Sequence, residues 1–181
     1  HLAGEGRQGV NPANIGNVVY GRRSLVPCTA LASLEMIEST GIELRGKRCV
    51  VVGASNIVGK PIAVLLMRAD ATVHSTNKFT PDLPALAREC DVLVAACGVP
   101  RLVKADWIKP GAVVIDVGIN RLPNGKLAGD VDFDTARTVA SAITPVPGGV
   151  GPMTITMLLG NTLRAAERKA GLSVAGKETM L

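Results

Sequence analysis

Residues 50–61 read VVVGASNIVGKP, and this stretch decides the fold. A β-branched run, Val50 to Val52, stops at Gly53, and helix-forming residues follow within a few positions. A strand that ends on glycine and turns at once into a helix leaves the first backbone N–H groups of that helix free to face an anion. Against the dinucleotide fingerprint G-x-G-x-x-G, Ser55 and Val58 hold the second and third glycine positions, and a glycine is displaced to Gly59. The motif alone is therefore also compatible with an ordinary strand-to-helix turn. Its place in the chain favours the ligand, because the first strand of an open parallel sheet abuts the crevice where ligands bind. Gly53, Ala54, Ser55, Asn56 and Ile57 are thus candidates for holding a pyrophosphate.

Working outward, four further short strand-like runs follow: ATVHS (71–75), DVLVAA (91–96), GAVVIDVG (111–118) and SAIT (141–144). Helical segments are expected between them at Ile57 to Arg68, Asp82 to Glu89, Ala105 to Ile108 and Asp132 to Ala140. Strands recurring about every 20 residues, apolar throughout rather than alternating, indicate a parallel sheet covered on both faces by crossover helices. The expected class is α/β, a Rossmann-like doubly wound parallel sheet with flanking helices. One helix is expected before the sheet, with Thr29 as its N-cap and Gly41 as its stop. Another closes the domain, with Pro152 in its first turn, Ile155, Leu158, Leu159, Leu163 and Ala166 turned to the core, and Gly171 as terminator. Residues 1–8 and 172–181 carry no such pattern and are expected to be loose, leaving 9–171 as one domain.

Composition narrows the function. The formal net charge is +5, yet the basic residues are scattered and aromatics make up only 2%, so there is little on which nucleic-acid bases could stack. Small anionic ligands suit that charge equally well. The apolar runs are too short for a bilayer span of about 20 residues. Cys28, Cys49, Cys90 and Cys97 form no C-x-x-C, and with only His1 and His74 no metal-ligand spacing arises.

Coenzyme preference is written after the second strand. NAD-preferring domains place an acid there, about 20 residues beyond the glycine turn, to bind the ribose hydroxyls. Here the segment reads HSTNKFT (74–80), with Lys78 and no carboxylate, which suits the 2′-phosphate of NADP better than NAD. Two more strand ends face the same crevice, at Cys97–Gly98 and at Val117–Asn120. Asp116, inside an apolar strand, is read as a structural acid in need of hydrogen-bond partners. The run ITPVPGGVGPMT (143–154) alternates prolines that fix φ with glycines that lack side chains, which suits backbone lying against flat rings; a cis bond is expected before Pro147.

With VVGASNIVGKP, IDVGINR followed by GDVDF, and TPVPGGVGPMT in this order, the chain resembles the methylenetetrahydrofolate dehydrogenase/cyclohydrolase family, in its cofactor-binding domain, from about Gly9 to Ala170. The resemblance implies hydride transfer from 5,10-methylenetetrahydrofolate to NADP, coupled to hydrolysis of the methenyl product. It implies that Gly53, Ala54 and Ser55 hold the cofactor phosphates and that Lys78 reads the adenosine phosphate. It also implies that Ile119 lies along the dinucleotide and that Pro147, Gly148, Gly149, Val150 and Gly151 line the folate side. The partners it implies are tetrahydrofolate, a preceding folate-binding domain and a second copy in a homodimer, in the cytoplasm, without nucleic acid or membrane.

The chain departs from that family at several points. The family's Y-x-x-x-K, whose lysine activates the folate, does not occur; Tyr20 is followed four residues later by Ser24. No catalytic residue is therefore assigned. Arg7 and Gln8 stand where an acidic segment is usual, Ala30 and Ala32 replace a proline and a glycine, and Ala54 replaces a frequent arginine. Two explanations stand. The chain is a fragment, with His1 to Gln8 partly foreign or a junction, or it is a paralogous non-catalytic dinucleotide-binding or regulatory module that has lost the folate chemistry.

Overall fold

The computed structural model describes residues 9–21 and 25–171; the segments expected to be loose, 1–8 and 172–181, lie outside the described residues. In chain order the elements are α1 (Pro12–Val19), α2 (Cys28–Glu38), β1 (Arg48–Val52), α3 (Gly59–Arg68), β2 (Thr72–Thr76), α4 (Leu83–Arg88) and β3 (Val92–Ala95). A 3₁₀ turn (Ala105–Trp107) follows, then β4 (Val113–Asp116), β5 (Asn120–Arg121), β6 (Leu127–Ala128), α5 (Phe133–Ala136), β7 (Ala142–Ile143) and α6 (Val150–Lys169).

Five of the strands make one parallel sheet in the order β2-β1-β3-β4-β7. The chain leaves β1 toward β2 on one side and then crosses to β3 on the other. The strand order therefore reverses between β1 and β3, where the carboxyl ends of open α/β sheets form a ligand crevice.

Side chains alternate across the pleat, so each central strand feeds two cores. Cys49, Val51, Val94, Val113 and Ile115 pack with Leu34 and Ile37 of α2 and Ile62, Leu65 and Leu66 of α3. On the other face Val50, Val52, Leu93, Ala95 and Val114 pack with Ala87, Cys90, Ile108 and Ala136. This double burial is why β1, β3 and β4 read as continuous apolar runs. β2 is the exception: as an edge strand it exposes Thr72, His74 and Ser75.

Several local expectations need correction. α2 starts at Cys28 with Pro27 as its N-cap rather than Thr29, whose carbonyl instead accepts the Ser33 hydroxyl. Gly41 does stop that helix, with φ 79° and its N–H on the Glu38 carbonyl at 2.9 Å. α3 begins at Gly59, two residues later than Ile57, and α5 is a single turn ending at Ala136. α1 was not anticipated, although Asn11 caps it by accepting from the Ala13 N–H at 2.8 Å and Pro12 opens it. The β5–β6 hairpin was also missed, although Asn124–Gly125 is a strong turn signal.

The largest correction concerns α6. Val150 and Asn161 are buried and Met153 and Met157 pack on the core, whereas Ile155, Leu159 and Leu163 are 62%, 67% and 61% exposed. Ala166 is exposed too, and Leu158 is half-buried. The helix carries two apolar stripes about half a turn apart, and a helical period by itself does not say which one meets the core. Asn161 anchors the inner stripe: its amide donates to the Val26 carbonyl at 2.9 Å and contacts Cys28 Sγ at 3.4 Å.

Candidate functional site

The crevice begins at Gly53. Its φ of 107° is open to glycine, and a Cβ there would strike the Ala96 carbonyl at the end of β3. The displaced glycine has a different role from the one its place in the fingerprint suggests. A Cβ on Gly59 would collide with the Gly53 carbonyl and stand 3.1 Å from Ala54 Cα. Gly53 thus lets β1 close on β3, and Gly59 lets the first turn of α3 fold back on Gly53.

Between those glycines the Ser55 hydroxyl accepts the N–H groups of Val58, the N-cap residue, and of Gly59 at 3.2 and 3.3 Å, the side-chain acceptor that Val58 cannot supply. The Ser55 carbonyl accepts the Lys60 N–H at 3.0 Å, and Lys60 Nζ reaches Asn56 Oδ1 at 2.7 Å. Among the described residues no acceptor takes the backbone N–H groups of Ala54, Ser55, Asn56 and Ile57. A turn with four uncommitted donors at a helix N-terminus, its backbone path allowed by two residues that lack Cβ, fits a pyrophosphate.

The Gly53 N–H donates to the Thr76 carbonyl at 3.1 Å, and the buried Thr76 hydroxyl donates to the Val51 carbonyl at 2.9 Å. The donor turn and the loop carrying Lys78 therefore leave the sheet side by side. That loop is closed on itself: Asn77 Oδ1 accepts the Phe79 N–H at 2.9 Å, and the Thr80 hydroxyl accepts the Asn77 N–H at 3.0 Å. Lys78 and Phe79 are both exposed, with the ammonium 4.9 Å from the ring centroid. Exposed Ile57, Val99 and Ile119, at 63%, 45% and 64%, put apolar side chains on three successive strand-end loops.

Cys97 and Gly98 follow β3, and their N–H groups donate to Asp130 Oδ2 at 2.7 and 2.8 Å. Burial pushes the Cys97 thiol up to about 11, which favours the thiol over the thiolate at neutral pH. Asp116 is the structural acid expected of it: Oδ1 accepts from the Gly118 and Asp130 N–H groups at 3.0 and 2.9 Å, and Oδ2 from Val131 at 2.9 Å. Burial raises its pKa, against the lowering effect of those three N–H groups. Asn120 and Asp130 lie inside the runs IDVGINR and GDVDF, but the sequence alone assigns neither a role of its own. A buried acid two residues after a hairpin carries no periodic signal, and its partners lie more than thirty residues away at Cys97 and Gly98.

The opening of α6 faces the same end of the sheet. The Val146–Pro147 bond is cis, as expected. The Thr144 hydroxyl accepts the Asp116 N–H at 2.8 Å, tying this loop to β4. The three glycines do different work. Gly148 has φ 108°, and Gly149 lacks room because a Cβ would stand 2.5 Å from the Pro145 carbonyl, whereas Gly151 faces open space. Val150, grouped with the folate-side residues, is buried and packs inward, while Pro147 and Gly148 are exposed.

A five-stranded parallel sheet with a switch point between its first and third strands, and a glycine-gated donor turn at that point, defines a nucleotide-binding α/β domain of the Rossmann class. Among the described residues, no group of three His, Cys, Asp or Glu side chains could hold a metal ion, and no helix is long and apolar enough to cross a membrane. The profile described as "Tetrahydrofolate dehydrogenase/cyclohydrolase, NAD(P)-binding domain" matches residues 27–170, and the chain belongs to that family as its NAD(P)-binding domain.

Relatives agree. The bifunctional protein FolD of Listeria innocua is 58% identical over 160 residues, covering 88% of this chain and 56% of its own length. That of Geobacillus kaustophilus is 57% identical over 162 residues, covering 90% and 57%. The crystal structure of the Campylobacter jejuni bifunctional enzyme superposes with a TM-score of 0.87 at 45% identity, over 90% of this chain and 58% of that one. A Trypanosoma brucei methylenetetrahydrofolate dehydrogenase-cyclohydrolase, complexed with NADP cofactor and inhibitor, gives 0.86 at 45% identity, over 91% and 59%. The chain spans a little more than half the length of the curated relatives it matches, 56% and 57% in these two.

Proposed function

We propose that this chain is the NADP-binding domain of a 5,10-methylenetetrahydrofolate dehydrogenase, coupled in the complete protein to methenyltetrahydrofolate cyclohydrolase. The observation that carries the reading is the donor turn: the free N–H groups of Ala54 to Ile57 open beside the loop that bears Lys78. Bound NADP would supply the hydride acceptor for the methylene carbon of the folate. The chain's own residues bind and orient. Gly53, Ala54, Ser55, Asn56 and Ile57 would hold the pyrophosphate through backbone N–H groups, and the Lys78 ammonium would pair with the 2′-phosphate. The exposed ring of Phe79 against Lys78 and the exposed side chain of Ile119 give the dinucleotide apolar surface. Cys97, Gly98 and the run Pro147 to Gly151 would bound the cleft between nicotinamide and pterin.

The folate-binding domain belongs to the same reading. Ile155, Leu159 and Leu163 form an apolar stripe on α6 that stays exposed among the described residues, and the relatives carry a further two-fifths or so of chain. That stripe is the seat we assign to the folate domain, which would bring tetrahydrofolate and its activating residues to the cleft. The open edge of β2 is where we place a second copy in a homodimer. Four free thiols suit the reducing cytoplasm.

Titration of the chain with NADP and with NAD tests the reading. NADP is expected to bind about tenfold tighter or more, as one added charge-assisted contact would give. Lys78→Ala should remove that preference while leaving NAD unchanged; equal affinities for the two coenzymes in the wild type would refute the role of Lys78.

A further inference from the structure

We infer that Asp130 is a positioning residue for the dinucleotide, its buried carboxylate locking the peptides after β3 to the hairpin after β4 so that both walls of the cofactor crevice move as one unit. The inference rests on the NADP reading and concerns a carboxylate buried behind the segments proposed to bind the coenzyme.

The geometry is a two-tier cage. Asp130 is 0% exposed and Asp116 3%. Among the described residues neither carboxylate has a Lys or Arg at ion-pair distance; N–H groups hold both, and the Cys97 thiol also bonds to the Asp130 carboxylate. Asp116, at the end of β4, accepts the Asp130 N–H and so fixes where that residue sits. Asp130 in turn takes the Cys97 and Gly98 N–H groups on Oδ2 and the Asn120 amide on Oδ1, the last at 2.8 Å. Asn120 also reaches the Ala128 carbonyl at 3.3 Å, which clamps the hairpin that follows Ile119.

Shape enforces the same arrangement. A Cβ on Gly118 would overlap the Asp130 carboxylate, and one on Gly129 would overlap that of Asp116, so each acid fills the space left by a glycine near the other. Backbone bonds from Arg101 to the Gly129 carbonyl and from Val103 to the Asp130 carbonyl, both 3.0 Å, strap the chain after β3 to the same segment.

Two buried carboxylates without a cation are a costly way merely to hold loops together, since neutral or apolar groups would do so with less desolvation. Their charge gives short, directed bonds that aim specific peptides. The peptides aimed here are Cys97–Gly98, after β3, and Gly118, directly before Ile119. A cofactor-binding surface that must be held to within a fraction of an ångström is supported in this way by residues behind it.

The test compares Asp130→Ala, Asp130→Asn and Asn120→Ala with the wild-type 181-residue chain, each at a temperature where its melting curve shows it fully folded. Asp130→Ala is expected to weaken NADP about tenfold, and Asp130→Asn about threefold, because one oxygen still accepts from Cys97 and Gly98. The proton resonances of those two amides, shifted downfield by a charged acceptor, should move upfield in both Asp130 variants. A role confined to stability would lower the melting temperature and leave the affinity of the folded chain alone. If Asp130→Ala does not fold, Asn120→Ala decides, with about a threefold loss expected. Wild-type affinity in a folded Asp130→Ala, or in Asn120→Ala where that variant decides, overturns this inference and leaves the NADP reading standing. Failure of the wild-type chain to bind NADP overturns that reading and this inference with it.

Discussion

Adding one methyl group at Gly59 and at Gly160 should have opposite effects, and the sizes follow from what each methyl meets. At Gly59 a Cβ would overlap the Gly53 carbonyl oxygen, lie 2.8 Å from its carbon and 3.1 Å from Ala54 Cα. All three are backbone atoms of a turn already pinned at the Gly53 N–H by Thr76, so nothing flexible can give way. Overpacking of this kind costs about 1–3 kcal/mol. The better helix propensity of alanine, about 1 kcal/mol at most, offsets only part of that. At Gly160, inside α6, nothing among the described residues beyond the helix's own backbone lies within 4 Å of the added carbon, and only the propensity gain remains. With about 2–4 °C per kcal/mol for a chain of this size, Gly59→Ala should melt a few degrees below the wild type and Gly160→Ala a few degrees above. Calorimetry reads both shifts. Titration with NADP supplies the second readout: because the donors of the turn sit between the two glycines, Gly59→Ala should lose at least about tenfold in affinity and Gly160→Ala none. Gly59→Ala at wild-type melting temperature with wild-type NADP affinity would refute the claim that this glycine shapes the turn.

Two further expectations concern surfaces remote from the turn. Leu159→Lys on the outer stripe of α6 should change the stability of this chain by less than about 0.5 kcal/mol, yet in a protein that also contains the folate domain it should lower melting temperature and turnover together; a null effect there would remove the stripe as the seat of that domain. Asp91 accepts from Lys109 at 2.6 Å and from the Arg48 N–H at 3.0 Å, and these, the Lys109 bond foremost, hold its carboxyl below the ordinary range. A depressed folded pKa means stability that is present above the unfolded value of about 3.9 and lost as pH falls through the folded one. Asp91→Asn should therefore cost on the order of 1 kcal/mol at neutral pH, and less once the pH has fallen through that folded value, in urea titrations; an equal cost under both conditions would show that the charge does not matter.

What the sequence by itself determined is whatever is written in neighbouring residues. The runs at β1, β3 and β4, each closed by glycine or a turn, required a parallel sheet buried on both faces. Gly53 before helix-forming residues marked the donor turn, and proline with glycine marked the cis loop before α6. Contacts between distant segments were decided only in three dimensions. The outward stripe of α6 and the inward one have the same helical period, and the packing of Val150, Met153 and Met157 on the core, with Asn161 meeting Val26 and Cys28, chose between them. Gly59 looked like a misplaced fingerprint residue until the turn brought it against Gly53. Asp130 lies in the run GDVDF, yet nothing local gave it a role, because its partners at 97 and 98 become neighbours only when β3 and β4 pair. Local propensity and patterning act over a few residues, whereas burial and hydrogen-bond satisfaction act over whatever the folded chain brings within reach.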